Sequence, residues 1–239
     1  MSLFLTESER QTIEAERHKA PLNQFYWALI NRAKKRAEYP GLTGLDSTTE
    51  WWYHVAEYIT DAAMAYALEP SDDLGIWLRD VTLSIVRRSE DDWVGPFFRN
   101  HDLKPPMGHL ETAHLCLAVV AALDLAPGIF SHDDHAEAEA ILRERGIPQC
   151  VRWLDYHSHL MNWRCVLAMG LAASAAYLNH GAMLARAVEE FQLCTQAFQP
   201  DGSYCESLQY SNYAAYALMI IYESLVRRDP SLTVHLDLT

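Results

Sequence analysis

The groups most able to move a proton or hold a sugar ring are concentrated in one stretch, PDGSYCESLQYSNYAAY, residues 200–216. It opens on a turn, Pro200-Asp201-Gly202, carries acids at Asp201 and Glu206, and then sets down Tyr204, Tyr210, Tyr213 and Tyr216. The last three tyrosines recur at three-residue intervals, so on a helix they share a slowly drifting face. Such a row at the mouth of a helix can bind sugar rings, and a phenol whose pKa is lowered by its surroundings can act as general acid or base. The same row can also be the aromatic side of a helix packed into a core. Asp201 and Glu206 can be read as a glycosidase carboxylate pair, although Asp-Gly is above all a turn signal.

Two other clusters carry polar chemistry. His109, Glu111 and His114 form H-x-E-x-x-H on an apolar helix. A zinc-protease helix places its histidines four apart around the acid; five apart they diverge, so no metal site is expected, and His109 or Glu111 is read as lining a cleft. HSHLMNWR, residues 157–164, packs His157, His159, Asn162, Trp163 and Arg164 around a helix start. The SHDDH run at 131–135 reads as an acidic first turn rather than a metal site. Weaker cleft candidates, Trp93, Arg99 and His101, lie in the long irregular stretch 91–106.

The elements that must position these residues are almost all helices. Apolar periodicity and breakers predict helices over about 6–19, 22–39, 47–68, 72–89, 109–125, 131–145, 151–157, 163–178, 181–198 and 207–227. Thr6 and Glu9 make a capping-box pattern. Pro40-Gly41 and Gly146-Ile147-Pro148 read as stops. Short links such as Ala126-Pro127-Gly128 and Asn179-His180-Gly181 imply antiparallel neighbours. Segments apolar on more than one face, such as WWYHVAEYITDAAMAYAL, are read as sandwiched between other helices. Stacked antiparallel pairs with an inner layer describe an α/α toroid or an α-solenoid. Strand-like alternation is confined to the C-terminal SLTVHLDLT.

Composition narrows the function classes. The 239 residues are 50% hydrophobic with a net charge of −13, which suits a globular domain and disfavours nucleic acid or an anionic membrane surface as partner. The five cysteines show no C-x-x-C spacing and read as small buried residues in a reducing compartment. No charged n-region followed by an apolar run opens the chain, so a cytoplasmic location is the default reading.

Three segments taken in order, HLETAHLCLAVVAALDLAPGIFSHDDHAEAEAILRERGI, MNWRCVLAMGLAASAAYL and PDGSYCESLQYSNYAAYAL, resemble the helical domain of the heparinase II/III-like polysaccharide lyases, which include alginate lyases. The resemblance runs from about Trp51 to Arg228. It implies an all-α chain, an incomplete (α/α) toroid of antiparallel helix pairs without the family's C-terminal β-sandwich. The expected organisation is one domain over 1–239: N-terminal helices in 1–45, the toroid core in 46–228, and a tail in 229–239 leading to a region this sequence lacks. The periplasm is the family's usual location.

The resemblance also implies β-elimination on uronic-acid glycans, heparin-like or alginate, with an acidic polysaccharide or oligosaccharide as partner and no cofactor. Elimination removes the C5 proton beside a carboxylate. That proton is barely acidic until donors neutralise the carboxylate, so the site needs a donor, a base and an acid for the leaving oxygen. Asn162 is expected as the donor, at the N-cap of its helix. Tyr210 matches the family's catalytic tyrosine, with Tyr213 next in line. Some members carry His after the Asn; here Trp163 stands there, able to stack on a sugar but not to transfer a proton. Arg164, His157 and His159 are expected to bind carboxylate or sulfate, and His109, Glu111, Tyr213 and Glu206 to complete the substrate-binding set. Two other readings stand beside this one: an (α/α) toroid glycoside hydrolase using Asp201, Glu206 or Glu111, and a non-catalytic carbohydrate-binding helical domain.

Overall fold

The computed structural model describes residues 2–39, 51–95 and 103–236. Among these the chain is all-α: α1 (Glu7–Glu16), α2 (Leu22–Ala37), α3 (Trp51–Leu68), α4 (Asp72–Val86), α5 (Glu90–Val94), α6 (Leu110–Leu125), α7 (His132–Ile141), α8 (Ile147–Tyr156), α9 (Asn162–Tyr177), α10 (Gly181–Thr195) and α11 (Leu208–Arg228). Arg99, His101, the Pro40-Gly41 stop and the expected first turn of the third helix, 47–50, lie outside the described residues. No described helix is long and apolar enough to cross a membrane.

The chain divides into two compact units, one formed by Met1–Arg88 with Ala118–Ala138 and the other by Ser89–Leu117 with Glu139–Thr239. In the first, α2, α3 and α4 pack on one another. Thr6 and Glu9 close the capping box on α1, which satisfies two of the amides that a helix start leaves unpaired. Asp124 accepts hydrogen bonds from Ser2 Oγ at 2.7 Å and from the backbone N–H groups of Leu3 and Phe4.

In the second unit α9 is the hub, packed against α8, α10 and α11. Its sequence, NWRCVLAMGLAASAAY, explains this. Nearly every side chain from Asn162 to Ala176 is buried, and the abundance of Ala and Gly lets neighbouring backbones come close. One close approach is at Gly170, where a Cβ would lie 2.6 Å from Ala113 Cα of α6. The starts of α9 and α11 meet through Asn162 and Glu206, and their ends through Asn179 and Arg228. The two helices therefore run parallel, with α10 connecting them.

Three expectations change. The stop at Gly146-Ile147-Pro148 is a π-helical turn, Leu142–Gly146, that carries α7 directly into α8. The wider π turn precedes Pro148, which has no N–H to give to the turn before it, and the run stays helical through the proline. The alternating tail is a 3-10 turn, Pro230–His235, started by Asp229, whose side chain accepts from Ser231 N; no strand is present among the described residues to pair with it. Trp93 is fully buried, and its carbonyl accepts from Thr112 Oγ1 at 2.7 Å, so it belongs to the core rather than to a cleft.

Candidate active site

The N-cap of α9 is Met161, and Asn162 is the first helical residue rather than the cap. Its side chain turns to another segment. Nδ2 donates to Glu206 Oε1 at 3.0 Å and Oε2 at 2.8 Å, and the Asn162 backbone N–H donates to Oε2 at 2.8 Å. A carboxylate here can only accept, so the amide nitrogen must be the atom facing Glu206. Oδ1 therefore points away; it is buried and accepts no hydrogen bond. The negative carboxylate lies on the positive end of α9, where the helix dipole favours it.

Glu206 is held from its own side as well. Tyr204 O–H donates to Oε2 at 3.1 Å. Burial, then the neighbouring Cys165 and this bond to Glu206, push the Tyr204 phenol well above its ordinary pKa. Tyr204 pairs with Phe198 across a narrow hairpin, rings 4.7 Å apart. At its tip Gly202 takes φ 82°, a backbone that favours glycine. Asp201 Oδ1 accepts from Ser203 N at 2.9 Å. Both members of the carboxylate pair required by a hydrolase are thus engaged, Asp201 in its turn and Glu206 on Asn162.

The tyrosine row divides. A three-residue step turns a helix position by about 60°, so the row drifts round α11. Tyr210 on the first turn is 47% exposed and Tyr216 is 44% exposed. Tyr213 is half-buried, and its hydroxyl lies 2.5 Å from Nε2 of His114 on α6. The two ring planes are nearly parallel, 9° apart, with centroids at 5.9 Å. Burial pushes the His114 imidazole down to a pKa of about 4, so it is neutral at neutral pH.

The H-x-E-x-x-H residues go separate ways. His109 is buried between Trp153 and Trp163, with ring centroids 5.9 and 4.7 Å away. Burial, then the charge of His157, lowers its pKa to about 3. Its Nδ1 accepts the Leu110 N–H at 2.9 Å, which leaves the ring proton on Nε2. Glu111 is fully buried and packs under Gly95. Both lie in the packed interior, His109 between two indoles and Glu111 beneath Gly95.

Arg164 is likewise withdrawn. Nε and Nη2 donate to Glu190 at 2.7 and 2.9 Å, and Nη1 donates to the His157 carbonyl at 2.6 Å. Arg186 adds a second guanidinium to Glu190 at 2.7 Å. A buried charge is tolerable only when paired in this way, so the Arg164 guanidinium is committed to the fold. His159 is exposed, 6.2 Å from the His157 ring, and Trp163 is partly exposed beside His109.

Sequence reasoning singled out the two helix starts that meet, but two links were beyond it. The bond between Glu206 and Asn162 crosses 44 residues, and the His114–Tyr213 pair is separated by 99. No local spacing signals either one.

A family model described as alginate lyase matches residues 133–235. The matched span runs from within α7 through α11 and includes Asn162, Trp163, Glu206, Tyr210 and Tyr213. Over these residues the chain is similar to alginate lyases, which are polysaccharide lyases. No curated protein matches the chain.

Proposed function

We propose that the chain is a polysaccharide-lyase-like domain acting by β-elimination on uronic-acid glycans, of alginate or heparin type, and that its helix pairs belong to an incomplete (α/α) toroid. The observation that carries this reading is the alginate lyase match over 133–235, which takes in both helices of the site. The chemistry of those helices fits it. The positive end of α9 and the Asn162 amide offer stabilisation to a uronate carboxylate, which makes the C5 proton removable. A phenol of α11, Tyr210 or Tyr213, handles that proton, and Trp163 offers a sugar a ring to rest on. In this reading the substrate carboxylate competes with Glu206 for the Asn162 amide, and Glu206 marks where an anion sits when substrate is absent.

The test is absorbance near ~235 nm, the signature of the unsaturated uronate that elimination leaves and hydrolysis does not. Polymannuronate, polyguluronate and heparin are the probes. Asn162→Ala is expected to abolish the signal. Reducing ends released without that absorbance would overturn elimination in favour of hydrolysis, and binding without either product would leave a carbohydrate-binding domain.

A further inference from the structure

We propose that His114 is the positioning residue that makes Tyr213, rather than Tyr210, the proton-transferring phenol of the site. The inference rests on the lyase reading above and adds to it a residue outside the matched span. Among the tyrosines of α11, Tyr213 has its hydroxyl bonded to an imidazole, at 2.5 Å. Tyr210 stands on the exposed first turn with its backbone N–H on Ser207 Oγ.

The placement of His114 is rigid. It follows Ala113, whose backbone is pressed against Gly170 of α9, and α9 in turn packs along α11. The register of three helices therefore sets the distance between the imidazole and the phenol. The rings are near-parallel, and Nε2 lies within hydrogen-bond distance of the phenol oxygen.

A neutral imidazole has one N–H to give. When that proton is on Nε2 it donates to the Tyr213 oxygen and favours phenolate, the form able to act as base. The elimination then balances on one oxygen. The phenolate takes the C5 proton, forming its O–H bond as C5–H breaks. The C–H electron pair becomes the C4=C5 double bond, and the C4–O bond breaks. The phenol passes the same proton to the departing glycosidic oxygen and is again phenolate. His114 keeps its own proton throughout. The imidazole thus reaches the phenol from α6, while the position after Asn162 holds Trp163, which has no proton to exchange.

The experiment is a titration of the full chain labelled with ¹³Cζ-tyrosine, with the Tyr213 signal identified by its loss in Tyr213→Phe. Removing the donor in His114→Leu is expected to raise the Tyr213 midpoint by about one pH unit or more, while His114→Gln, whose amide N–H reaches the same place, holds it near the wild-type value. Should His114→Leu fail to fold, His114→Asn, whose amide is too short to reach, is read in its place. On polymannuronate or heparin, the ~235 nm rate is expected to fall about 100-fold or more in Tyr213→Phe and His114→Leu and to recover in His114→Gln. A Tyr213 midpoint indifferent to the loss of His114, or activity lost in Tyr210→Phe but kept in Tyr213→Phe, would overturn the inference. If no polymer yields the absorbance even in the wild type, the lyase reading falls, and the titration still decides whether His114 controls Tyr213.

Discussion

The two units differ in where they keep polar side chains. Among the described residues of the first unit Thr82 is the one buried polar side chain, whereas the second unit buries ten, including His109, His114, Asn162, Arg164 and Glu190. The ion pairs of the first unit lie nearer the surface. Glu69, for example, accepts from Tyr26 O–H at 2.8 Å and Lys34 Nζ at 3.0 Å at the edge of α2 and α3. Every buried polar group must recover in the fold the hydrogen bonds it gave up in water. The first unit shows that this chain can build packed helices from apolar side chains. The concentration of polar groups around α9 therefore needs a reason other than packing, and the family match falls on that region.

The largest test of the contrast is the Arg164–Glu190 pair, whose side chains are 7% and 1% exposed. Glu190→Ala leaves the Arg164 guanidinium buried with its fork unmatched and is expected to cost about 3–5 kcal/mol. The counterpart in the first unit, Glu69→Ala, removes contacts that water can replace and is expected to cost about 1 kcal/mol or less. Urea unfolding of both variants reads the difference. Similar losses would break the contrast.

The buried imidazoles make the second unit sensitive to acid. His109 and His114 titrate near 3 and 4 in the fold, against about 6.5 in an unfolded chain. As pH falls below 6.5 the unfolded chain takes up protons that the folded chain does not, so stability present above 6.5 is lost progressively toward pH 4. Each imidazole is worth about 1.4 kcal/mol per pH unit, or about 2 kcal/mol between pH 6.5 and 5. Denaturant unfolding at those two pH values, in wild type and His114→Gln, is expected to show the variant losing less by about that amount. No described histidine of the first unit is buried, so the loss belongs to the second.

Much of this was legible along the chain because helices announce themselves locally. Thr6 and Glu9, the Asn179-His180-Gly181 link and the small-residue run of α9 each carry their meaning within a few residues. The Gly146-Ile147-Pro148 break was misleading because the chain meets the proline with a π-helical turn rather than by ending the helix. The site was half legible. Asn162 and the tyrosines stand at helix starts that the sequence marks, but their roles depend on partners from distant segments. Arg164 reads as an exposed cation until Glu190 is known to face it, and Tyr213 is equivalent to Tyr210 until His114 is brought against it.

A smaller effect separates the units at two glycines. A Cβ at Gly170 would meet the Ala113 backbone at 2.6 Å, whereas one at Gly75 would meet the edge of the Tyr66 ring at 3.0 Å. Backbone cannot step aside without moving α6, so Gly170→Ala is expected to destabilise by about 1–3 kcal/mol. A side chain can turn, and alanine favours the helix by up to about 1 kcal/mol over glycine, so Gly75→Ala is expected to be close to neutral. Because His114 follows Ala113, Gly170→Ala is also expected to shift the Tyr213 titration, and Gly75→Ala is not.

The smallest stability change separates a structural carboxylate from a functional one. Asp124 in the first unit accepts from the backbone N–H groups of Leu3 and Phe4, and Glu206 in the second from the backbone N–H and side-chain amide of Asn162. Alanine at either position is expected to cost about 1 kcal/mol in thermal or urea unfolding, the scale of losing a cap. Their effects on a uronate oligomer should differ. If Glu206 occupies the anion's place on Asn162, removing it vacates the amide and the positive end of α9, and KM is expected to fall although the protein is slightly less stable. Asp124→Ala has no such place to vacate and is expected to leave KM unchanged. A KM that rises in Glu206→Ala would mean that Glu206 instead holds the Asn162 amide in its working orientation.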